Sequence, residues 1–398
     1  MNRIAILAAR RTPIGTFGGQ FREVSATELG ITALSAALTD AAVDPNDVDE
    51  VIVGNVLSAD LGQNVARQIA IGAGLPVQVP AFAVNKLCGS SLKAVALAAG
   101  AIRLGEAKII AAGGAENMSR CPYAVSSLRY GARMGEVPII DLLLRDGLND
   151  AFEGYHMGVT AENLAAEWKV TRREMDELAA VSQARAQEAM RTGRFEREIV
   201  PVAVPQRKGE PLCVATDEHP RAGVTAESLA ALRPAFAKEG SVTAGNSSGI
   251  NDGAAFVVLA SEEEAERLGR EPLAYVRAYA SAGVPPSLMG FGPVPATQLA
   301  LERAGWELGS VELVELNEAF AAQSIAVLRG LAQSAAPLDP QIVNVNGGAI
   351  ALGHPIGASG CRILVTLVQE MARRGSSRGL ATMCIGGGQG IAMLVERR

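Results

Sequence analysis

The sequence predicts an α/β fold made of two similar halves, each with a sheet whose faces are covered by helices. Apolar runs of strand length alternate with longer runs in which apolar residues recur at helical spacing. The same alternation returns, in a similar order, in the last third of the chain. The 398 residues include 43 glycines and only 4% aromatic residues, a composition typical of closely packed layers of small side chains.

The first third of the chain shows the alternation most clearly, in short runs of Val, Ile and Ala bounded by polar turns. The predicted strands cover residues 4–9, 49–57, 81–87 and 107–116. The predicted helices cover residues 27–43, 65–75 and 90–106.

The last third repeats this order of elements. Residues 296–320 parallel residues 31–56, with a helix, a polar turn and an acidic-apolar strand. The glycine-rich loop, helix, basic turn, strand and glycine loop within residues 347–390 likewise correspond to the stretch around Cys88. We interpret the repeat as a duplication, and the alternative is a chance similarity between α/β patterns.

The pattern breaks between the two halves. The middle of the chain has a helix with a charged face at 171–193 and a turn-rich stretch at 201–225. Strand-like apolar residues return after it, so the first half finishes beyond an insertion. We therefore predict three parts: an N-terminal half of residues 1–118 and 249–270, an inserted loop domain of residues 119–248, and a C-terminal half of residues 271–398.

Composition excludes several classes of function. The net charge of −6 comes without a basic stripe, so we expect no nucleic-acid partner. The five cysteines form no C-x-x-C pair, which argues against a zinc or thioredoxin-type site, and their odd number indicates a reducing, cytoplasmic setting. The first apolar run is too short for a secretory signal, and we expect no membrane span.

Four glycine-rich junctions follow predicted strands, the usual position of a site in an α/β sheet. They contain Cys88, Asn317, His354 and Cys384. A lone cysteine is more often a packing residue, and we interpret Cys121, Cys213 and Cys361 in that way. For Cys88 or Cys384 alone packing and chemistry are about equally plausible, and a histidine in a glycine loop is more often a hydrogen-bonded loop residue than a base. Their joint occurrence at matching strand ends of the two repeats favours chemistry.

Six segments in order along the chain resemble the signatures of the thiolase family. They are RTPIG (11–15), NKLCGSSLKAV (85–95), GGAENMS (113–119), NEAFA (317–321), NVNGGAIALGHPIGASG (344–360) and CIGGGQG (384–390). The resemblance spans almost the whole length, and YHMGVTAEN (155–163) is most similar to the short-chain, biosynthetic type. It implies a thiolase fold with a five-layer α-β-α-β-α core, an inserted loop domain that binds coenzyme A (CoA), and a homotetramer.

The resemblance also implies the roles of the site residues. Cys88 is the nucleophile and His354 accepts its proton, since a free cysteine with a pKa near ~8.5 needs help to ionise. A helix N-terminus would assist by favouring the thiolate. Cys384 is the acid/base that removes a methyl proton from the second acetyl-CoA. His354 and a water held by Asn317 would stabilise the enolate, and the N–H groups of Cys88 and Gly386 would bind the acetyl-enzyme oxygen.

The same resemblance assigns CoA contacts to nine residues. Arg221 would stack on adenine, Ser248 would bond the pantetheine arm, and His156 would lie near the thioester. The apolar walls would be Leu148, Met157, Phe236, Met289, Ala319 and Phe320. CoA is a substrate here, so no metal and no other cofactor is expected. Core packing is the alternative for the aliphatic members, and a solvated charge is the alternative for Arg221.

Two neighbours of Cys88 depart from the family pattern. Lys86 stands where glutamine is common, and Ser91 stands where a glycine is frequent. The Lys86 ammonium could stabilise the Cys88 thiolate, but we expect it to point to solvent.

The resulting hypothesis is an acetyl-CoA C-acetyltransferase of fatty acid metabolism, which interconverts two acetyl-CoA with acetoacetyl-CoA plus CoA. The alternative within this class is a degradative 3-ketoacyl-CoA or 3-oxoadipyl-CoA thiolase. A non-catalytic acyl-CoA carrier is the alternative from another class, and the acid/base Cys384 argues against it. A decarboxylating ketoacyl synthase is disfavoured. Such enzymes resemble a Cys-His-His arrangement, whereas here the two other polar positions are Asn317 and Cys384.

Overall fold

The computed structural model describes residues 3–397, which form one mixed sheet with helices packed on its faces. The strands are β1 Ile4–Arg11, β2 Gly15–Thr16, β3 Glu50–Gly54, β4 Ala81–Val84, β5 Ile109–Asn117, β6 Tyr123–Ala124, β7 Ile140–Asp141, β8 Val202–Val204, β9 Leu212–Val214, β10 Asn251–Ser261, β11 Ala274–Gly283, β12 Leu313–Leu316, β13 Arg378–Ile385 and β14 Gln389–Glu396. The α-helices are α1 Ala26–Ala41, α2 Val65–Gly72, α3 Ser90–Leu104, α4 Met157–Glu167, α5 Arg172–Arg191, α6 Ala226–Ala230, α7 Glu262–Arg267, α8 Pro293–Ala304, α9 Ala321–Leu331, α10 Ala349–Leu352 and α11 Ser359–Arg374.

The main sheet has the strand order β12-β13-β14-β11-β1-β10-β5-β3-β4. Strands β3, β4 and β5 are parallel to one another, as are β12 and β13, whereas the central pairs are antiparallel. The N-terminal strands end at β1 and the C-terminal strands begin at β11. These two strands pair only from Ile4 opposite Val276 to Ile6 opposite Ala274, so a short junction joins the two halves of the sheet.

Three apolar interfaces arrange the helices and the two half-sheets into five layers. Helices α1 and α2 cover one face of the N-terminal strands, and α8 covers the outer face of the C-terminal strands. Helices α3 and α11 pack against each other between the half-sheets, where Leu92 and Val365 are fully buried. The predicted α-β-α-β-α order is therefore confirmed.

Local sequence signals set the ends of these helices. Ser25 and Glu28 form a capping box at the start of α1, and Thr171 and Glu174 do the same for α5. Helices α3, α8 and α11 end at Gly105, Gly305 and Gly375, which adopt left-handed φ values of 79°, 67° and 72°.

The predicted repeat is visible in the order of the elements. The pair α1 and β3 matches α8 and β12, and the pair α3 and β5 matches α11 and β13. Between the halves lie α4, α5, α6 and two short antiparallel ribbons, β6–β7 and β8–β9. Strand β10 then pairs with β5 and β1 of the first half. The residue limits of the three predicted parts stay a prediction.

One apolar segment has the length and composition of a membrane span, although we expected none from the sequence. Within the described residues, Leu87–Leu104 is long and apolar enough to cross a membrane by length and composition alone. It is mostly α3, a helix of the central layer, and more than half of it is buried inside the fold. Contact with a half-sheet on each side explains why most of this helix is apolar.

Candidate active site

Cys88 lies in a tight turn between β4 and α3. Leu87 has a left-handed φ of 47°, a conformation that costs a residue with a side chain about 1 kcal/mol or more. Hydrogen bonds hold the turn, because the Lys86 N–H donates to Ser90 Oγ (2.8 Å) and the Ser90 hydroxyl donates to the Leu87 carbonyl (2.6 Å). The turn therefore fixes Cys88 immediately before the first turn of α3.

Burial raises the pKa of the Cys88 thiol to about 11, although the N–H groups of Gly386 and of Cys88 itself act in the opposite direction. The N–H groups favour the thiolate, as expected of a helix start, but in the free protein the loss of hydration outweighs them. The two N–H groups point at the sulfur, and they can serve a carbonyl oxygen bound there.

His354 is fixed as a neutral imidazole between α10 and α11. Its Nδ1 lies 2.6 Å from Ser359 Oγ, and the Ser359 hydroxyl donates to the Pro355 carbonyl (2.8 Å). The hydroxyl has one hydrogen, so it must accept from Nδ1–H, which leaves the lone pair on Nε2. Burial, and then the positive Arg362, lower the pKa of His354 to about 3. Nε2 is buried and has no partner among residues 3–397.

Cys384 lies at the end of β13, just before the glycine turn to β14. Its side chain is buried, and burial followed by the nearby Cys88 charge raises its pKa. Gly387 and Gly388 have left-handed φ values of 76° and 84°, which carry the chain back into β14. Because charge on one cysteine disfavours charge on the other, only one of the two thiols ionises at a time.

These groups open onto one cavity of about 450 Å³, lined by 13 of the 14 predicted site residues. They are Cys88, Leu148, His156, Met157, Arg221, Phe236, Ser248, Met289, Ala319, Phe320, His354, Cys384 and Gly386. Aromatic contacts shape the wall, since the His156 and Phe236 rings stack at 4.7 Å and Phe320 meets Phe236 edge-on at 6.0 Å.

Asn317 does not line this cavity in the part of the chain that the structure describes. It follows β12, its N–H donates to the Thr382 carbonyl (3.0 Å), and its side chain is fully buried. Neither Oδ1 nor Nδ2 has a partner among the described residues. A buried amide with both polar atoms free suits the predicted role of holding a water molecule.

Several wall residues were not predicted from the sequence, among them Thr16, Phe17, Met118, Ile250 and His219. His219 carried a usable signal, because the chain has only three histidines and all three line the cavity. The aliphatic members carried none, since their side chains suit a core equally well.

Glu116, in the GGAEN segment, connects the two halves beside the site. Its carboxylate accepts hydrogen bonds from the N–H groups of Val56, Leu57 and Gly357 at 2.9–3.1 Å, and from the Asn55 amide (3.0 Å). Gly357 belongs to the loop that carries His354. One buried carboxylate therefore positions loops from both halves.

The structure also explains the two departures near Cys88. Lys86 does not point freely to solvent, so that prediction is wrong: it is half-buried and its ammonium donates to Gln389 Oε1 (2.5 Å) at the start of β14. Burial lowers the pKa of Lys86. Ser91 is fully buried, and its Oγ accepts from the Cys361 N–H (2.9 Å) in the first turn of α11.

The three cysteines assigned to packing differ in environment. Cys361 is fully buried between the half-sheets, and Cys121 is partly buried against the apolar cluster below Cys88. Cys213 is exposed, so its assignment is wrong. It lies on β9, where successive side chains face opposite sides of the ribbon: its neighbour Val214 is buried in the core, and Cys213 faces solvent.

Comparisons with known proteins agree with this geometry. The profile "Thiolase, N-terminal domain" matches residues 4–263, and "Thiolase, C-terminal domain" matches residues 270–397. The chain therefore belongs to the thiolase family.

Individual relatives show the kind of thiolase to which the chain is similar. The chain is 57% identical over 397 residues to an acetyl-CoA acetyltransferase of Pseudomonas aeruginosa and 54% identical over 398 residues to one of Cupriavidus necator, with 100% of each chain covered. Among solved structures, the acetyl-CoA acetyltransferase of Bacillus anthracis matches with a TM-score of 0.96 at 44% identity, covering 100% of this chain and 99% of that one. The enzyme of Syntrophomonas wolfei matches with a TM-score of 0.98 at 41% identity, covering 100% of both chains.

Proposed function

We propose that this chain is an acetyl-CoA C-acetyltransferase, which joins two acetyl-CoA molecules into acetoacetyl-CoA and CoA and catalyses the reverse thiolysis. The observation that carries the proposal is the meeting of Cys88, His354 and Cys384 on one cavity, each from a different segment of the chain. Full-length relatives with the name acetyl-CoA acetyltransferase support it.

The first half-reaction transfers an acetyl group to Cys88. His354 Nε2 accepts the Cys88 proton, and attraction between thiolate and imidazolium offsets part of the cost of charging each buried group. The sulfur attacks the thioester carbon, the bond from that carbon to the CoA sulfur breaks, and the leaving CoA thiolate takes the proton of Cys384. Acetyl-Cys88, free CoA and a Cys384 thiolate result.

The coupling between the two cysteines sets this order. A Cys88 thiolate raises the pKa of Cys384 and keeps it protonated, so that Cys384 is an acid while Cys88 is the nucleophile. Acetylation removes the charge on Cys88. Cys384 can then hold the negative charge and act as a base.

The second half-reaction forms the carbon–carbon bond. The Cys384 thiolate removes a methyl proton from a second acetyl-CoA, and the resulting enolate carbon attacks the carbonyl carbon of acetyl-Cys88. The bond from carbon to the Cys88 sulfur breaks, which returns Cys88 as thiolate and Cys384 as thiol. Protons and charges balance over the cycle because His354 keeps the proton that it took first.

Hydrogen-bond donors stabilise the two oxyanions of this scheme. The N–H groups of Cys88 and Gly386 serve the acetyl-enzyme oxygen, and protonated Nε2 of His354 serves the enolate oxygen together with a water on Asn317. Each preorganised donor lowers the free energy of the transition state by about 2.7–4 kcal/mol. CoA is substrate and product, and the scheme requires no metal and no further cofactor.

We further propose a homotetramer. Strand β4 is an unpaired edge of the main sheet with Phe82 exposed, a surface that suits pairing with a second copy. The arm of residues 121–142 exposes Tyr123, Leu128, Tyr130, Met134 and Ile139, which would be covered in a larger assembly. Five free cysteines support a cytoplasmic location, and the proposed reaction supports a place in fatty acid metabolism.

The deciding experiment is kcat/KM for thiolysis across 3-ketoacyl-CoA substrates of increasing chain length. We expect acetoacetyl-CoA to be cleaved best and long-chain substrates to be cleaved weakly, because Met157, Phe320 and Met289 occupy the walls of the cavity. Substantial turnover of long-chain substrates would replace the proposal with a degradative 3-ketoacyl-CoA thiolase. No turnover of any of them would favour a non-catalytic carrier.

A further inference from the structure

His219 is the one histidine of the cavity to which neither the proposed chemistry nor the family pattern gives a role. It follows β9 in a loop and lies partly buried in the cavity wall, two residues before the exposed Arg221. Its Nδ1 is buried with no hydrogen-bond partner, and no residue in 3–397 bonds its Nε2. Buried polar groups in folded proteins are almost always hydrogen-bonded, so the ring is an incomplete site by itself.

The position of the ring along the cavity is well defined. A side chain on Gly249 would begin 2.4 Å from His219 Cε1, 2.8 Å from His219 Nε2 and 2.7 Å from Asn251 Oδ1. The imidazole therefore packs directly on the glycine that follows Ser248. Asn251 Oδ1 in turn accepts the His354 N–H at 2.9 Å. His219 thus packs on Gly249 next to Asn251, the residue that accepts the backbone N–H of His354.

The charge state of the ring fits an uncharged ligand. Burial and then the Arg221 cation lower the pKa of His219 to about 4, against a smaller effect of Glu218 in the other direction. A neutral imidazole presents one N–H donor and one acceptor. A pantetheine arm, whose amide and hydroxyl groups both donate and accept, offers the matching partners.

We propose that His219 is a substrate-positioning residue that hydrogen-bonds an amide or hydroxyl group of the pantetheine arm through its free Nε2. The inference rests on the proposed function, because it takes a CoA thioester as the ligand of the cavity. Its contribution is to the binding of the thiol substrate rather than to the chemical steps at Cys88 and Cys384.

The test compares two thiol acceptors in the thiolysis of acetoacetyl-CoA: CoA, and pantetheine, which has the arm without the nucleotide. In His219→Phe we expect KM for either thiol to rise about three- to tenfold with kcat nearly unchanged, the size of effect that one lost hydrogen bond produces. His219→Asn, which restores a donor and an acceptor, should recover part of the loss. Arg221→Met is the matched control, and its penalty should appear with CoA and vanish with pantetheine.

Three results would overturn the assignment. One is an unchanged KM in His219→Phe, and another is a penalty that disappears with pantetheine, which would move the contact to the nucleotide end. The third is an equal fall of kcat for both thiols without rescue by His219→Asn, which would indicate a structural role. The proposed function fails separately, if the unaltered protein does not cleave acetoacetyl-CoA at all.

Discussion

Cys88 and His354 both begin the reaction in their neutral forms, because burial disfavours a charge on either side chain. With the Cys88 pKa raised to about 11, the thiolate fraction should grow about tenfold per pH unit up to that value. We expect the rate of alkylation of Cys88 by iodoacetamide, followed by peptide mapping, to rise throughout pH 7–10. An ordinary thiol would level off above its pKa of about 8.5, and such a plateau at Cys88 would contradict this electrostatic description.

Ser359 selects the tautomer of His354, so its loss should impair the base without removing it. In Ser359→Ala, Nδ1–H loses its acceptor and the ring loses its orientation. We expect kcat/KM for thiolysis to fall about ten- to a hundredfold, less than the roughly 10²–10⁴-fold that a positioned general base contributes, because the base itself remains.

Ser91→Ala is the control for Ser359→Ala, because Ser91 is equally buried and bonds Cys361 rather than His354. It should lower stability in urea unfolding with a much smaller effect on kcat/KM. Equal losses of activity in the two variants would show that packing, rather than the tautomer, explains the effect.

At the residue scale, the sequence contained the chemistry but not every contact. Cys88, His354, Cys384 and Gly386 could be predicted because each lies at a strand or helix end next to glycines that admit a ligand. The position of Asn317 behind the wall could not, since the depth of a side chain depends on how neighbouring loops stack. The bond from Lys86 to Gln389 joins residues 303 positions apart, which no local pattern encodes.

Among the elements, the turn between β4 and α3 depends on a partner in the other half of the chain. Replacing the Lys86 ammonium in Lys86→Met removes the bond to Gln389 and leaves a half-buried amide acceptor free. We expect a loss of about 1–2 kcal/mol in the free energy of unfolding, together with slower acetylation of Cys88. Urea unfolding and stopped-flow acetylation measure the two effects.

Lys93→Met supplies the charge-matched comparison, because Lys93 lies on α3 without a hydrogen bond from its side chain among the described residues. It removes the same charge from the same region. If Lys93→Met matched Lys86→Met in both measurements, net charge rather than the bond to Gln389 would be the cause.

Periodicity and end signals predicted the elements of the first half well. The helix predicted at 27–43 is observed at Ala26–Ala41, and the strand predicted at 107–116 is observed at Ile109–Asn117. These elements were predictable because local signals are strong, with a capping box at Ser25 for the helix and a continuous run of small and apolar residues for the strand. The apolar character of α3 was harder to interpret, since burial between two half-sheets and burial in a membrane select the same residues.

For the molecule as a whole, Glu116 is the clearest link between the two halves at the site. Glu116→Gln replaces one carboxylate oxygen with an NH₂ group that faces N–H donors, so about two accepted hydrogen bonds are lost. We expect a loss of about 2–4 kcal/mol in the free energy of unfolding. Activity should fall as well, because Gly357 belongs to the loop of His354.

The control for Glu116→Gln is Glu312→Gln, which removes a carboxylate whose hydrogen bond to the Ser377 N–H is exposed. That variant should lose less than about 1 kcal/mol in urea unfolding. A similar loss of stability in both variants would show that Glu116 stabilises the contact between the halves no more than an exposed carboxylate does.

The repeat predicted a two-half architecture because each half must cover its sheet with its own helices. The way in which the halves meet was not predictable. The junction of β1 and β11 has three residue pairs, and the packing of α3 on α11 depends on the close approach of Leu92 to Gly360.

In the proposed mechanism, Cys88 carries the acetyl group and Cys384 moves the proton. Mass spectrometry after exposure to acetyl-CoA tests it most directly, with the unaltered protein compared with Cys384→Ala and Cys88→Ala. We predict one acetyl group on Cys88 in the unaltered protein, an acetyl group that persists in Cys384→Ala because condensation is blocked, and none in Cys88→Ala. Acetylation of another residue, or an unchanged acetyl signal in Cys88→Ala, would contradict the mechanism.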